Sequence, residues 1–340
     1  MSESLLRLAS AVQHNCDVSD AAYAQDMTLC NYLLAMREHF RWEKRIPAGT
    51  EPGRSEVGKW IAEREARWEG LGSQDFAPLP LASGEADPFD VDAINAEWLD
   101  AGWAYGAAIG RFGKPHFFLG HLVQREWRDR IQILDIGREI ARDLEATPAS
   151  LADGTIVLRM EAFERWLWTS AEAWSHTRRP GPLQQALEYY GYEANPAGAI
   201  TTMAREQRET LLLHELGEHR AGIALGPDWE ALMARLPDKR AELTARAVRD
   251  LLADCLVTLP AIAARRDTPS LHFFFATLSS TRKVLSPTLP RAYEQAIRAG
   301  DWELLAAQAT SGAAHWLAAG KALASGAIPF PADPAEIALD

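Results

Sequence analysis

One short segment, Leu211–Ala221, carries four titratable side chains in a stretch that is otherwise mostly apolar. These side chains are His214, Glu215, Glu218 and His219. On a helix, where each residue turns by about 100°, all four fall within one arc of about 140°. Burying two carboxylates without a cation or hydrogen-bond donors would cost several kcal/mol. The segment therefore predicts a helix whose polar face meets either water or a positive charge, and a metal site is the leading hypothesis.

The composition is that of a globular chain. Of the 340 residues, 47% are hydrophobic and 24% are charged, which leaves little room for long disordered segments. The length favours two closely packed halves. With 47 acidic and 35 basic residues, the formal net charge is -12, which disfavours non-specific contact with nucleic acid or an anionic membrane. We therefore expect a small-molecule substrate and neither a nucleic-acid nor a membrane partner, while the oligomeric state stays open.

The chain carries no export signal that we can identify. Residues 1–16 lack the continuous apolar core of a signal peptide. No uncharged apolar run reaches the roughly 18 residues that a membrane span needs. The cysteines, Cys16, Cys30 and Cys255, are too few and too scattered for a disulfide framework or a Cys-rich zinc site. These features together predict a cytoplasmic protein.

Apolar residues recur at intervals of three and four along most of the chain, and no stretch keeps the alternation of a strand. The sequence therefore predicts an all-α fold, a multi-helix bundle with two closely packed helical halves. We expect an N-terminal helical domain over 1–190, a Pro/Gly-rich connector within it near 70–88, a C-terminal helical domain over 191–325 and a tail over 326–340. The predicted helical segments are 29–46, 56–69, 90–110, 121–144, 199–224, 237–264, 271–285, 291–299 and 301–325.

The helix predicted after residue 237 supplies two further carboxylates. Asp250 and Asp254 interrupt its apolar stripe at the same four-residue spacing as His214 and Glu218. Two facing helices would then offer imidazole nitrogen and carboxylate oxygen together, which is how helical bundles build metal sites. These ligands suit one or two divalent ions of Fe, Mn or Zn. The alternative is a buried salt-bridge seam in which nearby arginines neutralise the aspartates.

The spacing argues against two protease motifs. The H-E-x-x-H motif needs histidines four residues apart, whereas His214 and His219 are five apart. The inverted H-x-x-E-H motif also fails, because Glu215 stands three residues before Glu218.

The chemistry of these residues favours a metal-dependent enzyme. We predict a hydrolase that uses a metal-activated water on a small phosphorylated or amide-like substrate, with Glu215 as the catalytic base. The predicted metal ligands are His214, Glu218, Asp254, His219, Asp250 and His176. Two alternatives stay open: a dinuclear iron or manganese oxidase or oxygenase, and a non-catalytic interaction protein whose His/Glu/Asp seam is structural.

Two resemblances add to this interpretation. The motif L-L-L-H-E-L-G-E-H, followed about forty residues later by D-L-L-A-D-C-L, resembles HD-domain metal-dependent phosphohydrolases. That resemblance implies a helical fold with one or two divalent ions, and it points to His176, His214, Glu215 and Asp254. Over the whole chain, the stretches Q-H-N-C-D-V-S-D, M-R-E-H-F-R-W-E-K and H-E-L-G-E-H-R-A-G resemble an uncharacterised proteobacterial family of unknown function. This second resemblance implies no activity.

Overall fold

The chain folds into two compact units. The computed structural model describes residues 2–47, 49–236, 238–331 and 333–339. The first unit comprises residues 1–148 and 157–168, and the second comprises residues 149–156 and 169–340. Within the described ranges, no helix combines the length and the apolar character needed to cross a bilayer.

The prediction of an all-α bundle made of two helical halves is wrong. Helices account for 62% of the chain, but 14% lies in strands, so the architecture is α/β. The strands are β1 (Leu79–Leu81), β2 (Gly84–Ala86), β3 (Trp103–Ile109), β4 (Pro115–Arg128), β5 (Ile131–Arg142), β6 (Ala149–Ala152) and β7 (Thr155–Arg159). β1 and β2 form a small antiparallel sheet, within the segment predicted as a connector. The other five form a curled sheet in the order β3-β4-β5-β7-β6.

The strands β4 and β5 imitate a helix in sequence because part of each is buried on both faces. Each contains a run of four consecutive buried residues, and burial on both faces hides the period of two that marks a half-exposed strand. Three register shifts between Leu119 and Gln124 interrupt the alternation further. The turn between the strands places Asp129 and Arg130 at φ 48° and 69°. Such a turn usually contains Asn-Gly or Asp-Gly, so the hairpin carried no cue that we recognised.

Helices of the first unit cover the sheet and build a second small core. They are α1 (Glu3–Tyr23), α2 (Leu29–Glu43), α3 (Arg54–Trp68) and α4 (Val91–Trp98). Leu8 and Val12 of α1 are fully buried in one core with Phe117 and Leu119 of β4. Each such side chain contributes about 1.5–3 kcal/mol by leaving water. α2 and α3 share a separate core that includes the buried ring of Trp60. The helices predicted over 29–46 and 56–69 are confirmed.

The second unit is mainly helical. The remaining helices are α5 (Met160–Thr177), which begins in the first unit, α6 (Pro182–Tyr189), α7 (Pro196–Leu225), α8 (Pro227–Met233), α9 (Lys239–Ala253), α10 (Leu259–Arg265), α11 (Thr268–Thr277), α12 (Ser280–Leu285), α13 (Leu289–Ala299) and α14 (Trp302–Ala324). The predictions of helices over 199–224, 291–299 and 301–325 are confirmed. The core joins α9, α10 and α14, where Leu251, Leu259 and Trp316 are fully buried. This core fixes the helices that carry the polar motif.

Two local features shape the region where α7 and α9 meet: a break at the end of α9 and a close approach of the two backbones. A π-helical turn over Asp254–Thr258 separates α9 from α10. Pro260 follows it, and a proline lacks an amide hydrogen and crowds the carbonyl four residues earlier, so regular α-helical bonding cannot continue there. On the facing helix, a Cβ atom at Gly217 would lie 2.5 Å from the carbonyl oxygen of Ala253. Only glycine therefore permits this approach of the two backbones.

Candidate metal centre

Three of the predicted ligands lie together between α7 and α9. His214, Glu218 and Asp250 each offer one ligand atom, and these atoms lie within 4.8 Å of one another. The Nε2 atom of His214 is 3.6 Å from Oε1 of Glu218. Within the part of the chain that the structure describes, this is the one group of three or more such side chains that is close enough to share an ion. One nitrogen and two carboxylate oxygens therefore converge.

Asp254 lies behind His214 rather than beside the other two carboxylates. Its Oδ1 atom is 2.8 Å from Nδ1 of His214, and its Oδ2 atom accepts a hydrogen bond from Nη1 of Arg282 at 2.8 Å. The carboxylate is completely buried. When Nδ1 carries the proton and donates it to Asp254, Nε2 faces Glu218 with its lone pair, which is how a carboxylate orients a metal-binding histidine.

Without a bound cation, the ring of His214 is protonated on both nitrogens and carries a positive charge. Burial opposes a charge on the ring, but Asp254 and then Glu218 outweigh it and raise the pKa of His214 well above its ordinary value. A metal ion must therefore displace one of these protons, because imidazole binds metals in its neutral form.

A guanidinium group already contacts the carboxylates of this group. Nη2 of Arg249 donates to Oε1 of Glu218 at 2.8 Å and lies 4.0 Å from Oδ1 of Asp250. Burial opposes ionisation of Glu218, yet Arg249 and His214 lower its pKa far below the usual range. Burial raises the pKa of Asp250, and the charge of Glu218 adds to that effect. The site therefore contains both the ligands of a metal hypothesis and the arginine of a salt-bridge hypothesis.

Glu215 is the buried carboxyl group of the motif. Its side chain lies on α7 next to His214, and only 7% of the residue is exposed. Burial, and then the negative charge of Glu218, raise the pKa of Glu215 to about 8. A carboxyl group with such a pKa holds its proton at neutral pH and is matched to proton transfer close to it.

In the metal-free protein, we expect Glu215 to make stability depend on pH. The folded pKa of about 8 exceeds the ordinary value of 4.5, so the folded chain binds a proton that the unfolded chain releases. The stabilisation is complete below pH 4.5 and is lost as the pH rises through about 8. Glu215→Gln should remove this part of the decline in melting temperature between those limits. Glu206→Gln, a substitution at an exposed position of the same helix, should leave the decline in melting temperature unchanged. If the melting temperature of the Glu215 variant falls with pH as that of the wild type does, Glu215 is not the group responsible.

The structure does not bring the remaining predicted ligands to this group. His219 is partly buried on α7, and five helical residues turn it by about 140° from His214. His176 is exposed in the last turn of α5. The ion-sharing group includes neither histidine.

The sequence interpretation missed a second set of buried charges, in the first unit. Nζ of Lys114 lies 2.9 Å from Oδ1 of Asp20, and Nδ1 of His116 lies 3.0 Å from Oδ2 of Asp143. Both aspartates are completely buried. Burial raises the pKa of Asp20 to about 7, although Lys114 opposes the shift. Asp20 lies on α1, whereas the other three residues lie at or next to the start of β4 and the end of β5. Their separation in sequence means that no spacing pattern could reveal the group.

Comparison with known families covers nearly the whole chain. The model of the N-terminal domain of a family of unknown function, DUF6866, matches residues 7–159. The model of the C-terminal domain of the same family matches residues 164–328. Searches of curated proteins and of solved structures found no match. None of these comparisons shows a resemblance to HD-domain phosphohydrolases.

Proposed function

The chain belongs to the family of unknown function DUF6866, and we propose that its second unit is a metal-dependent hydrolase of a small phosphorylated or amide-like substrate. The observation that carries the proposal is the convergence of His214, Glu218 and Asp250 within 4.8 Å. The hydrogen bond from His214 to Asp254 supports it, because that bond leaves Nε2 directed at the carboxylates. The resemblance to HD-domain enzymes and a cytoplasmic location stay predictions from the sequence.

The donor set fits a divalent transition-metal ion. His214, Glu218 and Asp250 would hold it through one nitrogen and two oxygens, a combination that Mn, Fe and Zn accept. Three protein ligands are also usual at catalytic zinc sites, which keep a further position for water or substrate. Asp254 would orient His214 from behind. Our proposed ligand set is thus smaller than the six residues predicted from sequence.

When bound, such an ion would supply Lewis acidity and lower the pKa of a water molecule. Arg249 contacts the same oxygen of Glu218 that faces His214, so binding of an ion there would compete with this ion pair, and we propose that Arg249 releases Glu218. The released guanidinium is then available to bind an anionic group of the substrate, since its planar donors match carboxylate and phosphate. Glu215 is the buried carboxyl group that we assign to proton transfer.

The competing hypothesis is a structural salt-bridge seam. It is favoured by the ion pairs of Arg249 with Glu218 and of Arg282 with Asp254, both at 2.8 Å. In that case the cluster would join α7, α9 and α12 and would bind no metal. The dinuclear oxidase stays a prediction from the sequence.

Metal binding by two histidine variants separates these hypotheses. Full-length protein treated with a chelator should take up one ion of Mn, Fe or Zn per chain, measured by calorimetry and elemental analysis. His214→Ala should weaken this binding at least 100-fold, because it removes the only nitrogen of the proposed ligand set. His219→Ala is the matched control from the same helix and should bind as the wild type does.

Activity is the second measurement. The metal-loaded wild type and the His219→Ala variant should hydrolyse an aryl phosphate or an aryl amide, whereas His214→Ala and the chelated wild type should not. Wild-type protein that binds none of the three metals would contradict the proposal and favour the salt-bridge seam. Metal binding with equal loss in both histidine variants would contradict the ligand set.

A further inference from the structure

The first unit contains a group of arginines that the proposed metal site does not use. Four arginines surround two glutamates between the end of α2, strand β5 and the start of α5. The arginines are Arg45, Arg142, Arg159 and Arg165, and the glutamates are Glu139 and Glu161. We call these six residues together the arginine cluster.

Each glutamate is shared by two of the arginines. Oε1 of Glu161 lies 3.2 Å from Nη1 of Arg45 and 3.4 Å from Nη2 of Arg165. Glu139 is completely buried and accepts a hydrogen bond from Nε of Arg159, while its other oxygen lies 3.6 Å from Nη1 of Arg142.

The four arginines therefore outnumber the two glutamates that they contact. Asp143 also acts on Arg142 and Arg159, so the arginines outnumber the neighbouring carboxylates by one when Asp143 is counted. Excess positive charge in a buried place is costly unless an anion compensates for it. Burial, together with the charges of Arg159 and Arg165, accordingly lowers the pKa of Arg142 in spite of Glu139.

The deepest arginines also have unused donors. The side chains of Arg142 and Arg159 are only 4% and 5% exposed. Nε and Nη1 of Arg142 and Nη2 of Arg159 are buried without a hydrogen-bond partner among the described residues. Buried donors in native proteins are almost always paired, and a guanidinium pairs best with the two oxygens of a carboxylate or phosphate.

The cluster has an exposed rim and a buried floor. Arg45 is 35% exposed, in contrast to Arg142. Both lie over the indole ring of Trp42, with their guanidinium carbons 5.3 and 5.2 Å from its centre. Stacking on an indole holds a guanidinium in place without using its N–H donors. The positively charged side chains of Arg45 and Arg142 thus extend from the protein surface to the buried N–H donors that lack partners.

We propose that the arginine cluster binds a small oxyanion, such as a phosphate group or a dicarboxylate. The negative charge of the ligand follows from the excess of arginines over the carboxylates around them, and its oxygen atoms from the planar donors of Arg142 and Arg159. The site is independent of the metal site, which is built from other residues in the other unit.

Titration of the full-length protein with phosphate and with succinate tests the proposal. Binding is measured by calorimetry in the presence of a chelator, at an ionic strength held constant with sodium chloride. We expect at least one of these anions to bind to the wild type, and the tighter of the two identifies the group that the site prefers. Arg45→Gln, at the rim, and Arg142→Lys, which keeps the charge but loses the fork, should each weaken binding about ten-fold or more.

Arg130→Gln is the matched control. Arg130 lies in the turn between β4 and β5 and is exposed, so its loss should change the affinity by less than about two-fold, as expected for a screened charge. If neither anion binds to the wild type, the proposal is wrong. It is equally wrong if binding persists unchanged in the Arg45 variant and in an Arg142 variant whose circular dichroism and melting temperature match those of the wild type.

Discussion

Arg64→Met is expected to lower the free energy of unfolding of the first unit by about 3–5 kcal/mol, which is the cost of removing one partner from a buried ion pair. Nη1 of Arg64 lies 3.0 Å from Oδ1 of Asp17, and Nη2 lies 3.0 Å from Oε2 of Glu43. Arg64 itself is only 2% exposed. Methionine fills a similar volume but leaves Asp17, which is also buried, without its cation.

The surroundings of Arg64 add to this effect. Its guanidinium carbon lies 4.9 Å from the ring centre of Trp60 and 5.8 Å from that of Trp68, so cation–π attraction is lost as well. Nη2 also contacts Nε2 of His39. Burial and the charge of Arg64 hold the pKa of His39 well below its ordinary value, so this ring is neutral and accepts the hydrogen bond.

Urea denaturation followed by tryptophan fluorescence measures the change, since Trp60 and Trp68, two of the twelve tryptophans, lie beside Arg64. Arg67→Met is the control on the same helix. Arg67 is exposed, and a surface substitution usually changes stability by no more than about 0.5 kcal/mol. A loss of similar size in both variants would mean that the buried network of Arg64 contributes nothing specific.

Two of the helices that the sequence predicted correctly have a single apolar face. α13 and α14 pack only one side against the core of the second unit, so their apolar residues recur with the helical period. The strands β4 and β5 have no such clear pattern, since burial on both faces and the register shifts hide it. Periodicity therefore predicts an element most clearly where a single face is buried.

One strand cue was present and was overlooked. β6 and β7 are joined by Asp153-Gly154, whose φ angles are 46° and 73°. Two residues with positive φ form the tight turn for which Asp-Gly is a preferred sequence. Between the short apolar stretches at 149–152 and 155–159, this pair predicts a hairpin. Its recognition would have argued against an all-α fold.

The candidate site was predictable only in part, for a related reason. The four-residue spacing of His214 and Glu218 on one helix, and of Asp250 and Asp254 on the other, marked these polar residues as candidate metal ligands. Arg282 comes from α12, 28 residues after Asp254, and reaches it only because the chain folds back. Arg249 directly precedes Asp250 in sequence, but it lies nearer to Glu218 on the other helix, at 2.8 Å, than to Asp250, at 4.0 Å. The partners of a charge depend on tertiary packing, which spacing does not encode.

Asp254→Ala and Asp250→Ala are expected to differ in their effect on stability, although the two residues lie one turn apart. Asp254 compensates Arg282, whose side chain is 12% exposed, and also His214. Its loss should lower the free energy of unfolding of the metal-free protein by about 3–5 kcal/mol and weaken metal binding about 10- to 100-fold through misorientation of His214. The folded protein destabilises the charged form of Asp250, because burial and the negative charge of Glu218 raise its pKa.

Asp250→Ala should therefore cost the metal-free protein less than about 1 kcal/mol, because relief of the repulsion with Glu218 offsets the lost contacts. It should nevertheless reduce metal affinity at least as strongly as Asp254→Ala, since it removes a ligand atom itself. Urea denaturation of the chelated proteins and calorimetry with Mn, Fe and Zn give both quantities for each variant. If Asp254→Ala left stability unchanged while metal binding disappeared, Asp254 would be a direct ligand, as the sequence first predicted. If both variants were destabilised alike and metal affinity did not change, the two aspartates would belong to a structural seam.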